Sequence, residues 1–286
     1  MLTPWEGGRW LLLASLWSLQ YIFMRMAVPV FGTAIVADGR ALFSALFLVP
    51  WMIFVLREPV GLRRHWRDHL AVSLVNNVLP FCCFAYAATV LPASYLSVLN
   101  GMVPLWSGII SGPVLKDPLG PRQIGGFVLG VVGVALIVRL GPVPLDASTI
   151  AATAVGMLGA ALWGWAGVVI RQRSGRVPAM SLATGSILFC LVILSPAWVS
   201  TPSPSSWTAA SVAGLIALGV LCSGVAYLPF FTLVRDIGPT RTLTVGLAVP
   251  VLGMFWGWLL LGESITLGMI AGAALVLVAL LLVMKR

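Results

Sequence analysis

Apolar runs of about 20 residues, enough for a helix to cross a bilayer core, follow one another along this chain with only short polar breaks. They are read at 9–28, 35–56, 70–90, 94–115, 123–139, 150–171, 179–199, 208–233, 241–261 and 268–284, ten in all. The breaks carry turn chemistry, among them Pro29 to Gly32, Glu58-Pro-Val-Gly61, Leu91-Pro92, Lys116-Asp117-Pro118, Gly141-Pro-Val-Pro144, Thr201-Pro202, Gly238-Pro239 and Gly262-Glu263. None is long enough to hold a separate soluble domain. The first run lacks a small-residue cleavage site and is followed by others like it, so it is expected to be a retained span.

The pattern occurs twice. Laying Pro104 on Pro250, 146 positions later, and keeping that offset without gaps puts Leu12, Ala14, Leu16 and Trp17 on Leu158, Ala160, Leu162 and Trp163. Arg25, Gly39, Pro50, Val103 and Gly126 fall on Arg171, Gly185, Pro196, Val249 and Gly272, Asp117 on Glu263, and Arg139 on Lys285. Residues 1–140 and 141–286 are therefore expected to be two copies of one five-helix unit. Because five is odd, the second copy must enter the membrane upside down relative to the first. The expected fold class is an all-α integral membrane protein: ten transmembrane helices in two inverted five-helix repeats, a geometry that lends itself to alternating access.

Composition agrees with this pattern. Hydrophobic residues make up 60% of the 286, charged residues 9%, and mean hydropathy is +1.05, against roughly 25% charged in soluble domains. The net charge of +9 is scattered over short loops with no continuous basic face, so no nucleic-acid partner is expected. Fourteen Lys and Arg fall on the face that holds the N-terminus, against Arg25, Arg40 and Arg139 on the other. By the positive-inside rule both termini are cytoplasmic, which places the chain in a bacterial inner membrane with lipid as its surroundings. Cys82, Cys83, Cys190 and Cys222 all lie in apolar runs without C-x-x-C spacing, indicating neither disulfide nor zinc. No metal or cofactor is expected.

All eight acidic residues are read in loops or near span ends, and His65 and His69 in one loop. Without carboxylate or imidazole at mid-membrane there is no proton relay, and no Ser/His/Asp or H-E-x-x-H constellation can be assembled, so a carrier is expected and not an enzyme. Trp17 and Trp163, equivalent in the two copies, are candidates to face one cavity, set against ordinary packing between helices or on lipid. Further candidate substrate contacts are Asn77, Tyr95, Asn100, Ser223, Tyr227 and Thr244, uncharged groups that either bond between helices or line a wet cavity. Pro104 and Pro250 are candidate hinges, since a proline removes one ladder donor and frees the carbonyl four residues earlier; for Pro104 that is Asn100. Gly126-x-x-x-Gly130 and Gly268-x-x-x-Gly272 allow close helix approach, within the chain or in a weak homodimer. Arg25, Asp38 and Arg40 are expected to cluster near the outer ends of the first two spans, where an arginine binds a substrate carboxylate or snorkels to headgroups.

Taken in order and twice over, Leu16-Trp17-Ser18, Arg40 with Ala41 and Ala45, Val103-Pro104-Leu105, Leu162-Trp163-Gly164, Val249-Pro250, Gly262-Glu263 and Gly268 to Gly272 resemble bacterial members of the drug/metabolite transporter superfamily with paired EamA-type domains. The likeness covers essentially the whole chain. It departs from the family pattern at Lys116-Asp117, where Gly-Glu is usual, and at Ser186, where the first copy has Arg40. The resemblance implies a central cavity lined by the first, third, fourth, sixth, eighth and ninth spans, and outward transport of amino acids, metabolites or drugs. It is strongest to aromatic amino acid exporters. The expected function is thus a secondary, facilitative transporter exporting small neutral or zwitterionic metabolites, amino acids including aromatic ones, as a monomer or weak homodimer. The alternatives are an exporter of multiple lipophilic drugs and a pore or structural membrane subunit.

Overall fold

The computed structural model describes residues 3–115, 120–173, 175–201, 206–242 and 244–284. Lys116, Asp117, Lys285 and Arg286, which entered the repeat and charge arguments, lie outside the described residues. Every regular element described is helical. Helix α1 (Pro4–Pro50) starts with a capping box in which the Thr3 side chain accepts from the Glu6 N–H at 3.3 Å and Glu6 accepts from the Thr3 N–H at 2.7 Å. Gly32 interrupts it with φ 73° and ψ 171°, a backbone only glycine adopts without strain. A π-helical turn, Trp51–Leu56, continues it. The resulting 53-residue apolar stretch would be about 80 Å long at 1.5 Å per residue, so a single bilayer crossing cannot hold it, and Gly32 divides it between the first two expected spans.

Helix α2 (Trp66–Val72), a π-helical turn (Ser73–Val78) and α3 (Leu79–Val90) form one apolar rod. Next come α4 (Ala93–Gly101), α5 (Val103–Leu115), α6 (Pro121–Leu140), α7 (Ala147–Arg173), α8 (Ala179–Leu194) and the short α9 (Ala197–Ser200). Helix α10 (Ala209–Gly219), a third π-helical turn (Val220–Val225) and α11 (Tyr227–Ile237) make another composite rod, followed by α12 (Pro239–Thr242), α13 (Val245–Leu261) and α14 (Leu267–Met284). Seven stretches are long and apolar enough to cross a membrane, and Val245–Leu261 and Leu267–Val283 are shorter apolar helices. The chain is a multi-pass membrane protein.

The principal core forms where α1, α3, α4, α7 and α13 meet, around Leu13, Tyr21, Phe84, Tyr95, Leu96 and Met102. Large apolar side chains such as Leu46, Phe54, Val192, Trp258 and Leu267 are left on the outside, an arrangement stable against hydrocarbon and not against water. Helix α6 lies along α14. A Cβ on Gly133 would stand 2.7 Å from the Gly272 carbonyl, and one on Gly126 would stand 2.7 Å from Val283 Cγ2. Gly126, Gly268 and Gly272 thus pack in the α6–α14 contact and Gly130 against Met102 and Leu105, all within the chain, as the intramolecular reading expected. Gly262, with φ 64°, ends α13, and Glu263 after it accepts from the Ala93 and Ser94 N–H groups at 2.7 and 2.9 Å. That carboxylate satisfies two orphan donors at the start of α4.

Candidate functional site

The three residues expected to cluster near the outer surface do not. Asp38 and Arg40 are two positions apart on a helix and so point to different faces. Asp38 is buried and accepts from the Trp198 indole N–H. Arg25 donates from Nη1 to the Ala88 carbonyl at 2.7 Å, near the end of α3, where the helix dipole favours a cation. Arg40 turns inward and is only 5% exposed. Its Nε donates to Ser223 Oγ at 2.7 Å, its Nη2 to Gln20 Oε1 at 2.9 Å, and its guanidinium lies 4.0 Å from the centroid of the Phe81 ring. Snorkelling is thus overturned. A close helix approach fixes this depth: a Cβ on Gly219 would stand 2.8 Å from the Arg40 carbonyl, so α10 can lie tight on α1 and carry Ser223, one turn on, to the guanidinium.

His69 is also misplaced by the loop reading. It is buried in α2 against Phe189, because the helix begins four residues before the expected span.

Five of the eight candidate contacts are linked to Arg40, directly or through Gln20 and Asn76. The Trp17 carbonyl accepts from Gln20 Nε2 at 2.7 Å, and its ring lies 5.5 Å from Phe230. Ser223 holds the guanidinium directly. Asn77 donates to Ser186 Oγ at 3.0 Å and accepts from Asn76 at 3.0 Å. The Trp163 indole donates to the Asn76 carbonyl at 2.9 Å and stacks on Phe84 with centroids 4.6 Å apart. Tyr227 interacts with the Asn76 side chain and lies within electrostatic range of Arg40.

The other three lie elsewhere. Tyr95 donates to the Ile137 carbonyl at 2.5 Å and pins α4 to α6. Thr244 accepts from the Trp10 indole at 2.9 Å and donates to the Arg241 carbonyl at 2.7 Å. Asn100 sits half-buried near the end of α4. Of the two prolines, Pro104 follows a break at Met102 between α4 and α5, whereas Pro250 is embedded in the unbroken α13. The carbonyl of Pro250 accepts from Ser97 Oγ at 3.4 Å.

Gln20, Phe81 and Ser186 are site residues that the sequence reading did not single out as contacts. The signal was available in the repeat offset. Arg40 and Ser186 are 146 positions apart, as are Asn77 and Ser223, and Phe81 and Tyr227. The bonds Arg40–Ser223 and Asn77–Ser186 therefore join the same two positions in crossed fashion. The same relation holds for packing. A Cβ on Gly39 would meet Leu215, and one on Gly185, 146 positions on, would meet His69, which lies 146 positions before Leu215. The π-helical turns Ser73–Val78 and Val220–Val225 hold Asn77 and Ser223. Such turns add a residue to the helical ladder and occur often at functional sites.

Among the described residues no group of three or more His, Cys, Asp or Glu could hold a metal, and no ion pair involves Arg40. Ion pairs lie elsewhere, where Arg9 and Asp236 are 2.9 Å apart and Arg173 and Asp68 3.0 Å. The cluster can offer hydrogen bonds, aromatic faces and one positive charge to a small molecule.

Several known proteins are similar over nearly the full length. An uncharacterized transporter of Bacillus subtilis, YoaV, is 24% identical, covering 91% of this chain and 90% of its own. Protein PecM of Dickeya dadantii is 26% identical, with 93% and 88% covered. A probable amino-acid metabolite efflux pump of Salmonella typhimurium is 24% identical, with 96% and 93% covered. A protein of known crystal structure shares the fold with a TM-score of 0.63 at 17% identity, covering 97% of this chain and 95% of that one. The sequence model of the EamA-like transporter family matches residues 7–139 and again 150–285. This chain is a member of the EamA-like transporter family, within the drug/metabolite transporter superfamily.

Proposed function

We propose that the chain is a facilitative secondary carrier, not an enzyme, that exports small neutral or zwitterionic metabolites, amino acids including aromatic ones, by alternating access. The observation that carries this reading is the crossed pairing of equivalent positions, Arg40 with Ser223 and Asn77 with Ser186. Two copies that grip each other through the same positions can exchange roles, so that the bundle opens on either side at comparable cost. Dividing the 53-residue stretch at Gly32 and adding the two shorter apolar helices counts ten crossings, which with parity supports inverted copies at 1–140 and 141–286. On this count both termini are cytoplasmic, in a bacterial inner membrane.

Substrate meets Trp17, Asn77, Trp163, Ser223 and Tyr227, with Pro104 and Pro250 as the bending points. Helix α13 meets the end of α4 and the start of α5 at these prolines: a Cβ on Gly101 would stand 3.0 Å from Pro250 Cγ, and one on Gly246 would stand 3.7 Å from Pro104 Cγ. The pairs Arg9–Asp236 and Arg173–Asp68 latch the cytoplasmic end, as an outward-facing or closed carrier requires. The efflux-pump name of the Salmonella relative supports the amino-acid class and the direction. Because these glycines of α6 and α14 are all covered by contacts within the chain, a monomer suffices.

The test is counterflow of labelled phenylalanine, tryptophan and threonine into liposomes carrying the purified chain, with no imposed pH or sodium gradient. Saturable exchange is expected. Non-saturable flux would mean a pore, and strict dependence on either gradient would remove the facilitative mechanism.

A further inference from the structure

Arg40 is a buried cation that the fold leaves incompletely paired. Two of its nitrogens are taken by Ser223 and Gln20, but Nη1 is buried and has no hydrogen-bond partner among the described groups. An ionised side chain at membrane depth is costly, and charges left in such places are paired or put to use. Ser44, one turn further along α1, has a buried hydroxyl without a partner, and so has Tyr21, which lies within electrostatic range of the guanidinium. An acceptor entering beside Nη1 therefore finds unused donors.

Tyr227, Asn76 and Trp163, which adjoin the cluster, are each only partly buried. The guanidinium lies against the Phe81 ring, with Tyr21 and Tyr227 within electrostatic range. A single guanidinium with one free nitrogen suits a monoanion. A phosphate would call for further cations, which Ser223, Gln20 and the aromatic residues do not supply.

The repeat sharpens the point. The position equivalent to Arg40 holds Ser186, whose hydroxyl is satisfied by Asn77 and the Ala183 carbonyl. The charge is thus confined to one copy, off the axis that relates the two, where it orients a cargo with one anionic end.

We propose that Arg40 anchors the carboxylate of the transported molecule through Nη1, so that the cargo of this carrier is a monocarboxylate, free or zwitterionic, with an apolar or aromatic body. This rests on the carrier reading, and it excludes lipophilic cations, which the buried guanidinium repels.

The experiment compares 3-phenylpropionate, L-phenylalanine, 3-phenylpropionamide, phenethylamine and sodium chloride as ligands of the purified full chain, read by quenching of tryptophan fluorescence. A charge-assisted hydrogen bond is worth about 1.5–3 kcal/mol, or roughly 10–100-fold in affinity. The two carboxylates should bind more tightly than the amide and the amine by about that factor. Arg40→Met should abolish the preference and Arg40→Lys should keep part of it. The wild-type comparison needs no variant, so a folding failure of Arg40→Met leaves the assignment open to refutation. Equal binding of acid and amide, chloride matching the carboxylates, absence of binding by any probe, or a preference surviving in Arg40→Met would each overturn it. Counterflow by the same preparation separates the two readings. Carboxylate preference without saturable exchange would leave the anion site standing and sink the carrier, whereas exchange indifferent to the carboxylate would do the reverse.

Discussion

Gly185 and Gly39 occupy equivalent places, yet adding a methyl to each should have unequal consequences. A Cβ on Gly185 would stand 2.3 Å from His69 Nδ1 and 2.6 Å from its Cγ, against a planar ring that is itself packed on Phe189. The Cβ of Gly39 would stand 2.9 Å from the two Cδ atoms of Leu215, the free ends of a side chain that can turn away. Overpacking costs about 1–3 kcal/mol, and replacing glycine by alanine inside a helix returns about 1 kcal/mol. With the ring at the upper end of that range, Gly185→Ala should lose about 2 kcal/mol while Gly39→Ala stays near zero. A difference of that size is readable as separate thermal unfolding midpoints of the two variants in the same detergent. His69→Leu, which gives the second contact the flexible partner of the first, should restore at least half of the loss when combined with Gly185→Ala. Equal destabilisation of the two alanine variants, or failure of His69→Leu to rescue, would refute the view that the two copies make one contact with different fillers.

Other consequences can be checked on the same material. Glu263→Ala strips two backbone donors at the start of α4 of their shared acceptor and should cost about 1–3 kcal/mol of unfolding free energy, while Glu263→Gln, keeping one acceptor oxygen, should lose less; equal losses would argue against the capping role. Trp163→Phe keeps the stack on Phe84 and removes the bond to the Asn76 carbonyl, so counterflow should slow modestly, whereas Trp163→Ala and Trp17→Ala should weaken it strongly with folded protein retained; unchanged transport in the alanine variants would remove these residues from the site. Asp146 accepts from the Thr149 N–H and the Ser148 hydroxyl at the start of α7, and these bonds hold its carboxyl below the usual carboxylate range. The folded form thus favours the carboxylate, so its stabilisation is present above about pH 3.8 and is lost as pH falls through the lower folded value. Asp146→Ala should accordingly be less stable than the parent at neutral pH and converge on it under acid; a gap that does not close would contradict the cap.

Much of this protein can be read without coordinates because hydrocarbon imposes a simple rule. Backbone groups must be satisfied locally, so each apolar run long enough to span becomes a helix, and the stretches Trp66–Val90, Ala147–Arg173 and Ala209–Ile237 follow the runs read at 70–90, 150–171 and 208–233 to within a few residues. The offset from Pro104 to Pro250, local in origin, likewise needs no tertiary information. Depth and facing are different quantities. Arg40 is the sixth residue of its run, which suggests a place near the headgroups, but the approach of α10 at Gly219 and the bonds to Gln20 and Ser223 carry it inside. Tyr95 and Trp163 look alike as aromatic residues with a polar atom inside apolar runs, yet one spends that atom pinning α4 to α6 and the other lies beside the cluster. Which partner a polar atom finds depends on residues 20 to 183 positions away, and only the packed bundle supplies them. Periodicity and repetition determined the helices and their pairing in sequence; close contacts at single glycines decided where the buried guanidinium of Arg40 would stand.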